Sequence, residues 1–370
     1  MEAHELSFPK SVLEETENIE LNKENFKFRN RTLGISIDIP ESELAEVAFW
    51  VYENPDRYIV SISLSDPSEF VPVGSLTDQE AFLRRQTDFA NNVEAPLLPP
   101  NVSEELLALT PDERKPTITI NIPILKKDFS VNEPSFSKTY LQTGARLNYF
   151  TAEKGFSDPE LTFNKMLNQA FKVAERLNHQ RKSRRLLKKL DFFETWSASK
   201  GSQLRSFMQI ASTKSYFVLQ ELLLLANTSV ADFCAKYGIP VIYKNYNGVS
   251  KLPVKKLAAE LSEVMDRLPA SQIEQIRHLV KINAQAYFSP SNIGNRRLGV
   301  RQYLKVTSPL RRYVDLVNLR VVNALASQEE FPYTCCELRL LCKHLNGDAR
   351  IKDIREFIQS QCVDPVTCLV

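Results

Sequence analysis

Glycine is scarce in this sequence, with 10 residues in a chain of 370. Neither G-x-G-x-x-G nor G-x-x-x-x-G-K occurs, so the glycine-rich loops that hold phosphates in Rossmann and P-loop proteins are missing. Long apolar runs are missing too: the longest, LLLLA at 222–226, falls far short of the about 20 residues that a membrane-spanning helix needs. The N-terminal residues are acidic and lack the basic start and apolar centre of a signal peptide. These absences favour a cytoplasmic protein without a membrane partner.

Charge of one sign is not in excess, because 47 basic residues oppose 45 acidic ones and leave a net charge of +2. That value is too small to mark the whole chain as a nucleic-acid binder, so any such binding depends on local clusters. The six cysteines form no C-x-x-C pair, and their spacings fit no common zinc finger. They are predicted to be ordinary thiols in a reducing compartment.

The apolar pattern changes along the chain from short β-branched runs to long helical periods. Strands are predicted at 33–39, 47–52, 57–64, 117–125 and 144–150. Helices are predicted at 159–190, 215–238, 253–268, 271–288 and 311–326. The sequence therefore indicates a mixed α/β (α+β) domain, with strands mainly in the first half and helices mainly in the second. Residues 1–30 are predicted to form a lead-in helix and linker, 31–330 the main domain, and 331–370 a helical tail of the same domain.

Basic residues concentrate in two clusters. Residues 172–189 contain eight lysines and arginines against one acidic residue, Glu175, which is typical either of a solvated helix face or of a surface that binds phosphates. The second cluster consists of Arg296, Arg297, Arg301, Lys305, Arg311 and Arg312.

Within the second cluster, Thr307 or Ser308 is predicted to cap a helix that has Pro309 in its first turn. Arginines in a first turn are repelled by the helix dipole, whereas an exposed N-terminus with two arginines suits an anion. This local chemistry favours a phosphate ligand.

The segment RRLGVRQYLKVTSPLRRYVDL, 296–316, resembles the signature of the ribonuclease II and ribonuclease R (RNB) family. Five further segments resemble that family in the same order along the chain. They are FPKSVLEE, RNRTLGISIDIP, RYIVSISLSDPSEFV, APLLPPNVSEELLALTPDERK and QELLLLANTSVA. The resemblance implies an RNB-type fold and a 3′-to-5′ exoribonuclease that draws single-stranded RNA through a channel towards two Mg²⁺ ions.

The same resemblance assigns roles to individual residues. Arg311 matches the arginine that neutralises charge on the scissile phosphate, and Arg312 would be a supporting contact. Tyr149 falls where the family has an aromatic residue that stacks on the terminal base. Arg296 and Arg297 are predicted to bind RNA as well.

The metal-binding motif departs from the family pattern. In SIDIPESELAEVA, 36–48, Asp38 keeps the first aspartate, while the other three ligand positions fall on Leu44, Glu46 and Val47. Leucine and valine offer Mg²⁺ no oxygen, so Asp38 and Glu46 are the candidate ligands that remain, with Asp38 also a candidate catalytic residue.

Three functions are compatible with this pattern. The first is a degenerate family member that binds single-stranded RNA but hydrolyses it weakly or not at all. The second is an active, Mg²⁺-dependent 3′-to-5′ exoribonuclease with a rearranged site. The third is a structural or protein-interaction module that binds no RNA. Oligomeric state, protein partners and RNA preference have no signal in the sequence.

Overall fold

The computed structural model describes residues 7–21, 23–39, 44–88, 95–111, 113–182, 184, 210, 213–246 and 286–347. The predicted helix at 253–268 and residues 271–285 of the next one lie outside this part of the chain. Among the described residues, strands precede the long helices as the sequence predicted, and the mixed α/β class is confirmed.

Seven strands form one sheet in the order β1-β6-β5-β4-β3-β2-β7. They are β1 (Asn30–Thr32), β2 (Ile35–Asp38), β3 (Val47–Glu53), β4 (Arg57–Ser65), β5 (Lys115–Leu125), β6 (Ser135–Leu141) and β7 (Ala145–Asn148). The pairs β1–β6 and β2–β7 are parallel, and the others are antiparallel. Only Leu33 and Gly34 separate β1 from β2, although β1 is at one edge and β2 is next to the other, so the sheet is curled. A two-stranded sheet pairs β8 (Tyr243–Asn245) with β9 (Tyr287–Ser289).

The two faces of the sheet differ in chemistry because side chains alternate along each strand. On one face of β4 and β5, Ile62 lies opposite Ile120, and both are fully buried in the apolar core. On the other face, Ser63 Oγ and Thr119 Oγ1 lie 2.8 Å apart, and Thr119 Oγ1 is 2.7 Å from Thr139 Oγ1 of β6. These hydroxyls satisfy one another, which lets the centre of the sheet be buried on both sides.

Seven α-helices lie in the described residues. They are α1 (Lys10–Thr16), α2 (Leu76–Arg84), α3 (Tyr149–Gly155), α4 (Asn164–Lys182), α5 (Lys214–Tyr237), α6 (Tyr313–Ser327) and α7 (Cys335–Leu345). Two 3₁₀ segments, Lys23–Phe28 and Pro67–Glu69, and a π-helical segment, Asn101–Leu106, complete the regular structure.

Helix α5 is long and apolar, and most of its side chains are buried. By length and composition it is the one described helix able to cross a membrane, but 67% of its most apolar window is buried inside the protein. Two of its buried polar residues are engaged: Glu221 accepts a hydrogen bond from Asn178 at 2.7 Å, and Asn227 Oδ1 accepts one from Val306 N at 2.9 Å. This is the arrangement of a core helix.

Three local predictions are wrong. Residues 287 and 288, at the end of the helix predicted at 271–288, lie in strand β9. The helix near Thr307 and Ser308 begins only at Tyr313, because Ser308 O accepts hydrogen bonds from the backbone amides of Arg311 and Arg312 and closes a turn first. The predicted strand at 144–150 ends at Asn148, whose side chain accepts a 2.8 Å hydrogen bond from Thr151 N and caps α3. Strand β6 was not predicted at all, since its residues alternate without an apolar run.

Gly34 occupies the point where the curled sheet approaches itself most closely. A Cβ atom there would lie 2.9 Å from Ala48 Cβ and 3.3 Å from Leu141 Cδ1. We expect Gly34→Ala to lower the free energy of unfolding by about 1–3 kcal/mol through overpacking, measured by urea denaturation. Gly144→Ala is the matched control, because its Cβ would meet only Gly34 O at 3.4 Å. Equal stability of the two variants would show that the sheet has room at Gly34.

Candidate functional site

Some of the residues singled out in the sequence come together at one end of the sheet. Strand β2 ends at Asp38, which lies opposite Asn148 of β7, and Tyr149 follows directly. Glu46 immediately precedes β3, and the turn 308–311 carries Arg311. Asp38 Oδ1 accepts a 2.8 Å hydrogen bond from Ile39 N. The parallel pairing of β2 with β7 is what places Asp38 beside the start of α3.

A buried ion pair joins Glu46 to Arg311. Arg311 Nε lies 2.5 Å from Glu46 Oε1, and Leu310 N donates to Glu46 Oε2 at 2.9 Å. The Glu46 side chain is only 2% exposed, whereas that of Arg311 is 31% exposed. Burial raises the pKa of the Glu46 carboxyl, and the charge of Arg311 opposes that rise. Burial also acts to lower the pKa of Arg311, but Glu46 and Asp38 outweigh it, so the guanidinium stays charged.

The turn that carries Arg311 is fixed on several sides. Thr87 N donates to Arg311 O at 2.8 Å, and Tyr313 N donates to Arg85 O at 2.8 Å. Asn227 of α5 holds the approach to the turn through Val306. Within the described part of the chain, Nε makes the one side-chain hydrogen bond of Arg311, so its terminal nitrogens remain available to an anion.

Arg312 is engaged within its own helix. Its Nε and Nη2 donate to the two carboxylate oxygens of Asp315, each at 2.7 Å, and Asp315 is fully buried. Burial acts to lower the pKa of Arg312, but Asp315 outweighs it and raises that pKa. The pair orients the start of α6, and a contact of Arg312 with RNA stays a prediction.

Tyr149 is part of the core, with 8% of its surface exposed. Its ring meets Tyr216 edge-on, with ring centroids 5.6 Å apart. Burial raises the pKa of its phenol, and Asp38 adds to the rise. Tyr149 therefore lies at the same end of the sheet as Asp38, while stacking on a base stays a prediction.

Arg296 and Arg297 lie apart from the turn of Arg311, in the tight turn between Asn295 and Val300. Arg296 is exposed and Arg297 is partly buried. Their predicted contact with RNA is untested by this geometry.

The residues present do not fit a pair of Mg²⁺ ions. Leu44 and Val47 pack against the apolar core, and Glu46, predicted as a possible metal ligand, is instead paired with Arg311. Among the residues that the structure describes, no group of three or more histidine, cysteine, aspartate or glutamate side chains is arranged to hold a metal ion. Mg²⁺ requires several oxygen donors, and here the described donors are replaced or occupied.

Two partners of the arginines were missed in the sequence. The Arg312–Asp315 pair has a readable signal, because residues three apart face each other on a helix. The Glu46–Arg311 pair joins residues 265 positions apart and has no signal in a single sequence.

The curled mixed sheet and the helices packed on it define the class of fold, a mixed α/β domain. The family model for the RNB domain matches residues 27–328, which is most of the chain, and the protein belongs to that family. Among curated relatives, Exoribonuclease 2 of Psychromonas ingrahamii is 23% identical over 330 residues, covering 81% of this chain and 50% of the relative. The chain spans about half the length of the curated relatives it matches.

Solved structures agree on the fold. RNase R of Mycoplasma genitalium in complex with ribose-methylated single-stranded RNA superposes with a TM-score of 0.73 at 16% identity, over 97% of this chain and 62% of that one. Yeast Ssd1, described as a pseudonuclease, gives a TM-score of 0.69 at 16% identity, over 93% of this chain and 45% of that one. At these identities the likeness shows an RNB-type fold.

Proposed function

We propose that this protein binds single-stranded RNA in the cytoplasm and hydrolyses it weakly or not at all. The observation that carries the proposal is the buried ion pair that Glu46, predicted from the sequence to be a metal ligand, forms with Arg311. A carboxylate that neutralises a guanidinium is a poor ligand for Mg²⁺, because both cations compete for the same oxygens. Leu44 and Val47, packed in the core, supply no replacement.

The arginine side of the site supports RNA binding without cleavage. Arg311 keeps a partly exposed side chain on a rigid turn, and a guanidinium with free terminal nitrogens pairs well with a phosphate. The RNA complex of RNase R and the pseudonuclease Ssd1 have the same fold, which is compatible with either role.

The test is to incubate the protein with a 5′-labelled oligouridylate in Mg²⁺, in Mn²⁺ and in EDTA, and to record both retention and product length. We expect salt-dependent retention that EDTA does not abolish, with little or no shortening. The matched control is Asp38→Asn, which removes the remaining aspartate of the metal motif.

Each hypothesis has its own outcome. Metal-dependent shortening that Asp38→Asn abolishes would establish an active exoribonuclease and contradict the proposal. No retention at low salt would contradict RNA binding and leave the protein-interaction module.

A further inference from the structure

The site around Arg311 cannot by itself attract a polyanion from solution. Among the residues that the structure describes there, the cations Arg311 and Arg312 are acted on by three carboxylates, those of Glu46, Asp315 and Asp38. Binding of RNA is dominated by neutralisation of phosphates by lysine and arginine, so the attraction must come from other cations.

The two basic clusters of the sequence, more than 100 residues apart, meet in the fold. Arg181, near the end of α4, is 5% exposed, and its Nη1 donates to Leu298 O at 3.0 Å. Its Nη2 pairs with Glu221 of α5. This buried arginine fastens the C-terminal end of α4 to the turn between Asn295 and Val300.

Four exposed cations lie within three residues of Arg181 or Leu298, the two ends of this contact. We call them the basic rim: Lys182, Arg184, Arg296 and Arg301. Burial raises the pKa of Asp232 on α5, and the charges of Arg301 and Arg184 both oppose that rise, so each of the two arginines acts on this carboxyl. No ion pair links any of the four to another described residue. Three of the four are arginines, whose planar guanidinium matches the geometry of phosphate.

The basic rim is continuous with the turn of Arg311 along the chain. The connecting segment is held rigidly, because Asn318 Nδ2 donates to Lys305 O at 2.9 Å and Asn227 holds Val306. The side chains of residues 303–308 are buried, so this connection fixes the position of the basic rim relative to Arg311 through the interior of the protein.

We propose that the basic rim is a second RNA-binding surface, which holds the phosphate backbone of a single strand outside the Arg311 site. This inference rests on the proposed function, since it takes single-stranded RNA as the ligand. Charge complementarity favours RNA, and an acidic protein surface is an alternative that the experiment separates.

The experiment measures fluorescence anisotropy of a labelled oligouridylate across a range of salt concentrations. Two double variants, Lys182→Gln/Arg184→Gln and Arg296→Gln/Arg301→Gln, each remove two phosphate contacts. We expect each to weaken binding about 25-fold at about 0.1 M salt and to reduce the slope of log K against log salt by about 1.4, because one single-strand contact contributes about 0.7.

The matched control is Lys10→Gln/Lys343→Gln, which removes the same charge from exposed positions on α1 and α7. Thermal unfolding of all variants verifies that the fold is kept.

If wild type binds RNA and the rim variants bind like the control, the basic rim is not a binding surface and the proposed function stands. If wild type binds no RNA, the proposed function fails first. Binding of labelled polyglutamate is measured in the same way. If the rim variants lose affinity for polyglutamate but keep wild-type affinity for RNA, the basic rim binds an acidic protein and the inference is overturned.

Discussion

Replacing Arg311 with methionine should lower the free energy of unfolding by about 3–5 kcal/mol at neutral pH, because a buried carboxylate would lose its counterion. The carboxylate is Glu46, which is 2% exposed and accepts hydrogen bonds from Arg311 Nε and Leu310 N. Urea denaturation followed by circular dichroism measures the loss. A variant as stable as wild type would show that the pair contributes nothing to the fold.

The double variant Glu46→Gln/Arg311→Met should recover most of that loss. The glutamine oxygen can still accept the hydrogen bond from Leu310 N. Because glutamine carries no charge, no buried ion is left without a counterion when Arg311 is removed. The surface pair of Arg57 with Asp56, at 42% and 59% exposure, supplies the control, and Arg57→Met should leave the unfolding curve unchanged.

The pH dependence of the single variant has a definite sign. Burial raises the folded-state pKa of Glu46, and removal of Arg311 takes away the charge that opposes the rise. The folded state then binds a proton more tightly than the unfolded one, so the defect of Arg311→Met should shrink as pH falls towards the unfolded pKa and grow as pH rises. A defect that stays constant with pH would contradict a buried, ionised Glu46.

Comparison of Arg311→Met with Glu46→Gln/Arg311→Met also separates an effect on stability from an effect on RNA affinity. Loss of RNA binding in Arg311→Met alone has two explanations, an unfolded fraction and a missing cation. In Glu46→Gln/Arg311→Met the fold is restored while the cation stays absent. Weaker RNA binding by that double variant, with a wild-type unfolding curve, would assign the phosphate contact to Arg311.

Acidification from pH 6.5 to pH 4 should cost the protein about 3 kcal/mol of stability through His344 alone. The His344 side chain is 3% exposed, its Nε2 lies 2.6 Å from Phe82 O, and Arg85 Nη2 lies 3.4 Å from Nδ1. Burial lowers its pKa from 6.5 to about 4, the hydrogen bond to Phe82 opposes the shift, and Arg85 adds to it. A depressed folded pKa means that this stability is present above pH 6.5 and is lost as pH falls through 4.

His344→Gln isolates this contribution, since the amide can donate to Phe82 O but does not titrate. The variant should unfold with a flatter pH dependence between 6.5 and 4. His179→Gln, at an exposed position of α4, is the control and should follow wild type. If His344→Gln loses stability with acid as steeply as wild type, other groups carry the pH dependence.

The elements with strong periodicity were predictable. Strands β3, β4 and β5 and helices α5 and α6 have long apolar patterns that burial on the core requires. Strand β6 was not, because its buried Thr139 faces the hydroxyls of Thr117 and Thr119 on β5, and a hydroxyl partner leaves no apolar signal. The turn before α6 was mistaken for a helix start because Ser308 N is held by Asp315 Oδ1 at 2.9 Å, a contact that the local sequence does not reveal.

The candidate site was predictable in its members but not in its pairings. Asp38, Glu46, Tyr149 and Arg311 do gather at one end of the sheet, as the resemblance to the family implied. Which of these groups faces solvent depends on long-range contacts, such as that of Tyr149 with Tyr216. Such contacts join residues that are far apart in the sequence and have no periodic spacing. A single sequence therefore cannot predict which of the site residues are exposed.

The curled sheet also dictates the order in which the chain can fold. Strand β1 pairs with β6 and β2 with β7, so the two parallel pairs can be completed only after residues 141 and 148, respectively, have been made. Arg311 and Arg320 reach back 265 and 242 residues to Glu46 and Asp78, so both carboxylates stay without these partners until the last third of the chain is available. Contacts of such separation carry a large loop-closure cost and slow folding. During synthesis on the ribosome, Glu46 therefore stays unpaired with Arg311 until residue 311 has been made, and a chain truncated before Arg311 cannot form this ion pair.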